Sequence, residues 1–261
     1  MIDLFGLSAA RFETYLLIAI RVGFMLALVP VLSARQIPAL VRIGIMLILT
    51  VVVAKLVPTI APLAGLGQLG VAIIEQAVVG LIFGFVAFLV FTGIQFAGEI
   101  LDIQIGYGVV NVINPQTQQQ VTIIGEFEIA FATLIFLVTN SHHFLISGIV
   151  GSFNLLPLPN ISLNALLYTD IIHFFTQSLF IVFQIAAPVA VALFLVNVAL
   201  ALMARVAPQM NIFAVGFPLQ IFIGLTMIIV SFPLLGSVLP QIFGEVPARL
   251  DTVMRVMIPV K

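Results

Sequence analysis

Long apolar blocks, separated by short polar connections, dominate the chain. The blocks lack the strict alternation of a half-buried strand and most are too long for one, so the pattern predicts α-helices. Six of them approach the ~20 apolar residues that a membrane-spanning helix needs, so hydropathy alone indicates six spans. Because charges and prolines inside these blocks are costly in lipid but acceptable between packed helices, we predict that this six-span topology is wrong for the assembled protein. A shorter block, Phe144–Leu158, runs into a Pro-containing stretch and is typical of a partial or re-entrant segment. The six longer blocks are Tyr15–Leu32, Val41–Val57, Val71–Phe96, Ile123–Val138, Leu179–Leu202 and Ile212–Leu239.

The composition supports a membrane protein. Of the 261 residues, 62% are hydrophobic and only 7% are charged, whereas a soluble domain carries about 25% charged residues. With no repeat and no hydrophilic domain, we predict one all-α, polytopic unit over residues 1–261. Arg21 interrupts the first block, so we expect that block to be retained rather than cleaved as a signal peptide. A net charge of −1 and the absence of cysteine give no indication of nucleic acid binding, disulfides or thiolate chemistry.

Several charged residues lie within or beside the apolar blocks. A charge at the centre of a lipid-embedded helix costs about 2.5–3.5 kcal/mol. Packing of the helices against other subunits would account for them, and ordinary snorkelling at helix ends is the alternative. We expect one buried base, Arg42 or Arg21, to pair with an acid of this chain or of a partner. The charges predicted to be buried in subunit packing are Arg21, Arg42, Glu75, Glu99 and Asp102.

Glycine and proline positions also indicate a packed helical assembly. Gly80 and Gly84 lie about one helical turn apart, which lets another helix approach closely. Pro188, Pro218 and Pro233 fall inside the last two blocks, where each removes a backbone hydrogen bond. Such positions are tolerated where neighbouring protein or a cavity satisfies the freed groups.

Catalytic and metal-binding motifs are not apparent. The sequence has no Gly-rich phosphate loop, no HExxH and no GxSxG. His142 and His143 are adjacent, so on a helix they point about 100° apart and cannot chelate one metal ion together. Glu126 and Glu128 open an apolar block, where acids favour the helix N-terminus, and a proton relay is the alternative. We predict no catalytic residue, no metal and no cofactor.

The polar stretch 98–120 stands out between two apolar blocks. Gln95, Glu99 and Asp102 would share one face of a helix. Two glycines, an apolar VVNVI run and an Asn-Pro turn follow, and 98–122 contains no Lys or Arg. A solvated loop would usually carry such bases, and long loops in compact proteins are often lids or binding elements.

With these residues identified, the chain resembles the FliR family, the R subunit of the flagellar export gate, whose relatives in virulence secretion are called SctT. The resemblance extends along nearly the whole length, and its middle and C-terminal runs are the specific ones. The matching runs are RVGFMLALVP (Arg21 to Pro30), IPALVRIG (Ile37 to Gly44), GEILDIQIGYGVVNVINP (Gly98 to Pro115) and ARVAPQMNIFAVGFPLQIFIGL (Ala204 to Leu225).

The resemblance implies a non-enzymatic subunit of a protein export channel. Family members assemble with P and Q subunits (FliP and FliQ) in a hetero-oligomer of packed helical hairpins, raised largely out of the bilayer. Residues about 1–175 would form a P-like part, and about 176–261 a Q-like helix pair with a C-terminal tail. Further implied partners are FlhB-type and FlhA-type subunits, unfolded export substrates and membrane lipids. The implied location is the bacterial inner membrane, at the flagellar basal body.

The resemblance also implies a role for the polar stretch. In the family, the segment after the GE–D–Q–G motif projects into the pore as a plug. Here that segment would run from Gly106 to about Thr117. The residues implied as plug or gate are Gly106, Tyr107, Gly108, Val109, Val110, Asn111, Val112, Ile113, Asn114 and Pro115.

Two other classes of function remain open from the residues. A secondary transporter or proton channel would use an intramembrane acid such as Glu75, Asp102 or Glu126. Such a protein should be stable alone or as a small symmetric oligomer, whereas an export-gate subunit should co-purify with its partners. An intramembrane enzyme has less support, because the sequence offers no nucleophile–base pair or metal constellation.

Overall fold

A computed structural model describes residues 8–34, 37–107, 122–158 and 165–258. Within these ranges every regular element is an α-helix and no strand occurs, which confirms the predicted all-α fold. In chain order the helices are α1 (Ala9–Leu28), α2 (Pro30–Ser33), α3 (Ala39–Ala54), α4 (Leu66–Ile105), α5 (Ile123–Val138), α6 (Ser141–Leu155), α7 (Ala165–Val206) and α8 (Ile212–Val256).

Three of the described helices, α4, α7 and α8, are long and apolar enough to cross a membrane, and α5 with α6 would supply a fourth span if counted together. The six spans predicted from hydropathy are therefore reduced to three or four. The first block ends as a helix at Leu28, and the second forms α3, which has only 16 residues. At 1.5 Å per residue, α3 is about 24 Å long, shorter than the ~30 Å hydrocarbon core.

The three long helices are much longer than a bilayer requires. They contain 40, 42 and 45 residues, so each extends about 60 Å or more. That is about twice the thickness of the hydrocarbon core. The α7 helix continues through Pro188, and α8 continues through Pro218 and Pro233, so these prolines do not end the helices that contain them.

The helices group into two compact units, each drawn from separate parts of the sequence. Unit 1 contains residues 1–89, 140–175 and 244–261, and unit 2 contains residues 90–139 and 176–243. The boundary near residue 175 between a P-like and a Q-like part stays a prediction.

In unit 1, α1 packs closely against α4 at two glycines. A Cβ atom at Gly80 would collide with the backbone oxygen of Arg21. One at Gly84 would lie 2.7 Å from the Cβ of Leu28 and 2.8 Å from the backbone oxygen of Met25. The predicted close approach of another helix at these glycines is confirmed.

In unit 2, phenylalanine rings form much of the core. Phe91 of α4, Phe136 of α5 and Phe243 of α8 are in mutual contact, with ring centroids 5.1 to 5.4 Å apart. Aromatic pairs at such distances add about 0.5–1.5 kcal/mol beyond the burial of their area. These contacts hold the C-terminal part of α4 beside α5.

Candidate functional site

The polar motif that precedes the predicted plug lies on the last turns of α4. Gly98 and Asp102 are one helical turn apart and face the start of α5. A Cβ atom at Gly98 would lie 2.6 Å from the Cα atom of Gly125, so only glycine permits this separation of the two backbones. Gly98 therefore brings the start of α5 within reach of the side chain of Asp102.

Asp102 caps the N-terminus of α5 from the neighbouring helix. The backbone N–H of Ile124 donates to Oδ1 at 3.0 Å and to Oδ2 at 3.1 Å, and that of Gly125 donates to Oδ2 at 3.2 Å. The first amides of a helix have no acceptor within the helix. Thr122, at the N-cap position, makes no side-chain capping bond, so Asp102 takes its place. The positive end of the helix dipole favours a carboxylate there.

The structure describes only the first part of the predicted plug. The α4 helix ends at Ile105, and Gly106 has a φ of +100°, a left-handed conformation that glycine adopts without strain. Tyr107 follows and is half-buried. The remaining residues named for the plug, Gly108 to Pro115, lie outside the described residues.

The other acids near this motif differ in burial. Glu99 is half-buried and accepts a 3.3 Å hydrogen bond from Nε2 of Gln95, as their shared helix face predicts. Glu126 is exposed, whereas Glu128 is buried and interacts electrostatically with Asp102. The Oε2 atom of Glu128 has no hydrogen-bond partner among the described residues. Of the two acids that open α5, Glu128 is therefore the one removed from solvent.

Arg21 forms a second buried polar centre, in unit 1. Its side chain is 2% exposed, and its Nε donates to Oε1 of Gln76 at 2.7 Å. Its two terminal nitrogens donate to the backbone oxygens of Ser152 at 3.1 Å and Leu156 at 3.0 Å, and one also reaches Oγ of Ser152 at 3.3 Å. The guanidinium carbon lies 4.1 Å from the ring centre of Phe153. Arg21 thus satisfies the C-terminal carbonyls of α6, where the helix dipole favours a cation.

The remaining charges named from the sequence are less buried. Arg42 is half-buried, and its Nε and one terminal nitrogen both donate to the backbone oxygen of Ile37, at 3.2 and 3.1 Å. Glu75 is also half-buried. In the hydrogen bonds described for them, Arg21 and Arg42 meet neutral acceptors rather than an acid of this chain. Pairing with an acid of a partner, and the role of the five charges in subunit packing, stay predictions.

Sequence reasoning missed the acceptors of Arg21 and the partner of Gly98. The sequence does indicate the close contact at Gly98. Gly98 and Asp102 are spaced i, i+4, which places a small residue and an acid on the same helix face. The spacing of the polar residues instead predicts Asp102 on one face with Gln95 and Glu99. Neither Ser152 nor the carbonyl of Leu156 carries such a signal.

The fold and these sites define a multi-pass membrane protein in which the buried side chains of Arg21 and Asp102 are hydrogen-bonded to other helices of the chain. Residues 12–246 match the family described as bacterial export proteins, family 1. The flagellar biosynthetic protein FliR of Bacillus subtilis (strain 168) is 34% identical over 237 residues, which cover 89% of this chain and 91% of that protein. The chain belongs to the FliR family, and the resemblance read from the sequence is confirmed.

Other relatives agree. FliR of Escherichia coli (strain K12) is 28% identical over 232 residues, covering 87% of each chain. FliR of Caulobacter vibrioides is 31% identical over 231 residues, covering 85% of this chain and 90% of that protein. This family membership, together with the apolar helices, makes the chain a membrane component of flagellar protein export.

Proposed function

We propose that the chain is a non-enzymatic subunit of the flagellar export gate at the basal body in the bacterial inner membrane. It assembles there with the P and Q subunits, beside FlhB-type and FlhA-type subunits, around a path for unfolded substrates. Residues about 1–175 form its P-like part and about 176–261 its Q-like helix pair. Membership in the FliR family supports this proposal, and the observation that carries it is the extent of apolar surface along α7.

Large apolar side chains are exposed along nearly all of α7. They begin at Tyr168, 70% exposed, and continue through Phe180 and Phe194 to Val206, 86% exposed. Helix rise places these ends about 57 Å apart, whereas lipid tails cover about 30 Å. Lipid alone therefore leaves a large part of this apolar surface in water, which is unfavourable at about 25 cal/mol per Å². Protein partners that pack on the helix outside the bilayer would cover the remainder.

Single cysteines along α7 test the proposal, because the chain has no cysteine of its own. We expect Cys at positions 168, 180, 194 and 206 to resist a membrane-impermeant thiol reagent in the complex with the P and Q subunits. In the chain expressed alone, the positions outside a band of about 30 Å should react. The same reactive positions in both preparations would contradict packing of partners on α7.

Within this complex we propose that Gly106 to about Thr117 plugs the pore at rest. A wide channel through the inner membrane would dissipate the ion gradient, so an element must fill it. Val109, Val110, Val112 and Ile113 suit this role, because a dry apolar constriction is itself a barrier to ions. The Asp102 cap supports this role, since it fixes the start of α5 beside the end of α4.

Deleting Val109–Ile113 should leave co-purification with the P and Q subunits unchanged and make cells that overproduce the complex leak small ions. The expected result follows because the deleted side chains fill the lumen but do not hold the helices together. Ion leak is measured as loss of membrane potential and as slowed growth. Replacement of Gln118, Gln119 and Gln120 by serine is the control, since it alters the same connection without removing apolar volume. Failed assembly would make the segment structural, and a tight complex would place the barrier in another subunit.

A proton-conducting role is the second candidate function. The burial of the Glu128 side chain favours it. This acid is buried, with one oxygen unpartnered among the described residues. Asp102 and Glu126 suit the role less well, because Asp102 is engaged by α5 and Glu126 is exposed. Under this candidate, Glu128→Gln would abolish proton flux in vesicles that contain the chain alone. Under the export-gate proposal, the chain alone shows no flux that depends on Glu128.

A further inference from the structure

Both carboxylate oxygens of Asp102 are hydrogen-bonded within this chain. Both oxygens accept from backbone amides at the start of α5, and the residue is 3% exposed. We propose that Asp102 is a positioning residue, a clamp that holds the first turn of α5 against the last turns of α4. The burial and charge of Asp102 alone would predict an ion pair with a base on another subunit. In the clamp role Asp102 makes no such pair.

The geometry of the two oxygens supports the clamp. Hydrogen bonds from amides to an ionised acceptor are stronger than neutral ones, and Asp102 accepts three of them at 3.0 to 3.2 Å. A base from a partner would have to displace these amides or approach through packed backbone. The 3% exposure of Asp102 leaves little of the carboxylate accessible to such a base.

The two backbone amides that donate to Asp102 have no other acceptor in the part of the chain that the structure describes. Ile124 and Gly125 are the second and third residues of α5, so the helix itself cannot satisfy their N–H groups. The first bond within the helix begins one residue later, from the N–H of Glu126 to the oxygen of Thr122 at 3.1 Å. Without Asp102, these two amides would be buried and unpaired.

The clamp fixes the two ends of the connection between α4 and α5 to the same residue. Gly106, at the end of α4, donates its N–H to the backbone oxygen of Asp102 at 3.2 Å. The same residue therefore accepts from the end of α4 through its backbone and from the start of α5 through its side chain. Gly106 and Ile124, on either side of the connection, are therefore both hydrogen-bonded to Asp102. The consequence for the pore rests on the proposed function, whereas the clamp itself does not.

Hydrogen exchange at the start of α5, measured on the complex with the P and Q subunits, tests the clamp. In Asp102→Ala we expect the amides of Ile124 and Gly125 to exchange about tenfold faster or more, because protection reports local opening. Asp102→Asn keeps an acceptor without the charge, so its exchange rate at these amides should lie between those of the unsubstituted chain and Asp102→Ala. Glu99→Gln is the matched control, because it neutralises an acid on the same turn that accepts from Gln95 rather than from an amide of α5. It also keeps the Cγ atom that lies near Gly125. Its exchange at these amides should equal that of the unsubstituted chain.

A second variant separates the cap from a general loss of folding. Aspartate is a strong N-cap residue, and Thr122 already has the extended backbone, with φ −101° and ψ 96°, that this position requires. Adding Thr122→Asp to Asp102→Ala should therefore restore slow exchange at Ile124 and Gly125. Restoration is specific to capping, because a new carboxylate at position 122 cannot replace an ion pair made at position 102.

The outcomes distinguish the clamp from the proposed plug. Unchanged exchange in Asp102→Ala overturns the clamp, whatever the ion leak. Loss of the P and Q subunits in Asp102→Asn, repaired by neutralising a base on one of them, also overturns it. Faster exchange with intact assembly supports the clamp. If such a complex also remains impermeable after deletion of Val109–Ile113, the clamp stands and the plug does not.

Discussion

Replacing Arg21 by leucine is expected to lower the thermal stability of the detergent-solubilised complex by about 10 °C. The substitution leaves two buried acceptors without a described donor, Oε1 of Gln76 and the backbone oxygen of Leu156. It also removes the second donor to the backbone oxygen of Ser152, which still accepts from the N–H of Leu156. Each unsatisfied buried group costs about 1–3 kcal/mol, so a loss of ~3 kcal/mol or more is expected. In a chain of this size, 1 kcal/mol corresponds to about 2–4 °C. The measurement is the fraction of complex that remains monodisperse after heating.

Two further substitutions test the cause of this loss. Arg21→Lys keeps the charge but replaces a planar fork of five donors by a compact ammonium, so it should recover less than half of the lost stability. Arg42→Leu is the matched control, because both hydrogen bonds described for Arg42 reach the single carbonyl of Ile37 and its side chain is half-buried. It should cost less than about 1 kcal/mol. Equal losses at the two positions would show that removal of any arginine, not the unsatisfied acceptors, destabilises the protein.

The helices were predictable from the apolar blocks, but their lengths were not. The block Ile123–Val138 coincides with α5, because apolar and helical residues begin and end together there. By contrast, α4 extends from Leu66 to Ile105, well beyond Val71–Phe96. Hydropathy measures transfer to lipid, and a helix continues through Gln, Glu and Asp wherever protein satisfies them. The break after Leu28 did carry a signal, since Pro30 occupies the first position of α2.

The polar contacts were predictable only where both partners carry a sequence signal. Arg21 was identified as a buried charge, but its acceptors at Ser152 and Leu156 lie 131 and 135 residues away. Two of these acceptors are backbone carbonyls, which every residue possesses. The sequence also predicts a buried Asp102, in packing against another subunit. Its actual neighbour depends on how the chain returns after residue 107, which local spacing cannot specify.

Gly98→Ala is expected to destabilise the junction of α4 and α5, although alanine is the better helix former. A Cβ atom there would lie 2.6 Å from the Cα of Gly125 and 2.7 Å from its backbone nitrogen. Backbone cannot move aside as a flexible side chain can, so α5 must shift. Overpacking of this kind costs about 1–3 kcal/mol, and a shift also lengthens the bonds from Ile124 and Gly125 to Asp102. The gain in helix propensity, ~1 kcal/mol, offsets only part of this.

Two other glycines, one in α4 and one in α5, provide graded controls for this prediction. A Cβ atom at Gly70 would have no neighbour within 4 Å, so Gly70→Ala should be neutral or stabilise by up to about 1 kcal/mol. At Gly125 of α5 the nearest atom would be the backbone oxygen of Gln95 at 3.2 Å, so Gly125→Ala should cost less than Gly98→Ala. Melting of the solubilised complex should therefore rank Gly70→Ala highest, then Gly125→Ala, then Gly98→Ala. Hydrogen exchange at Ile124 should rise in Gly98→Ala and stay unchanged in Gly70→Ala. If alanine at position 98 is as well tolerated as at position 70, the two backbones are not in contact in the complex, and the close approach on which the Asp102 clamp depends is absent.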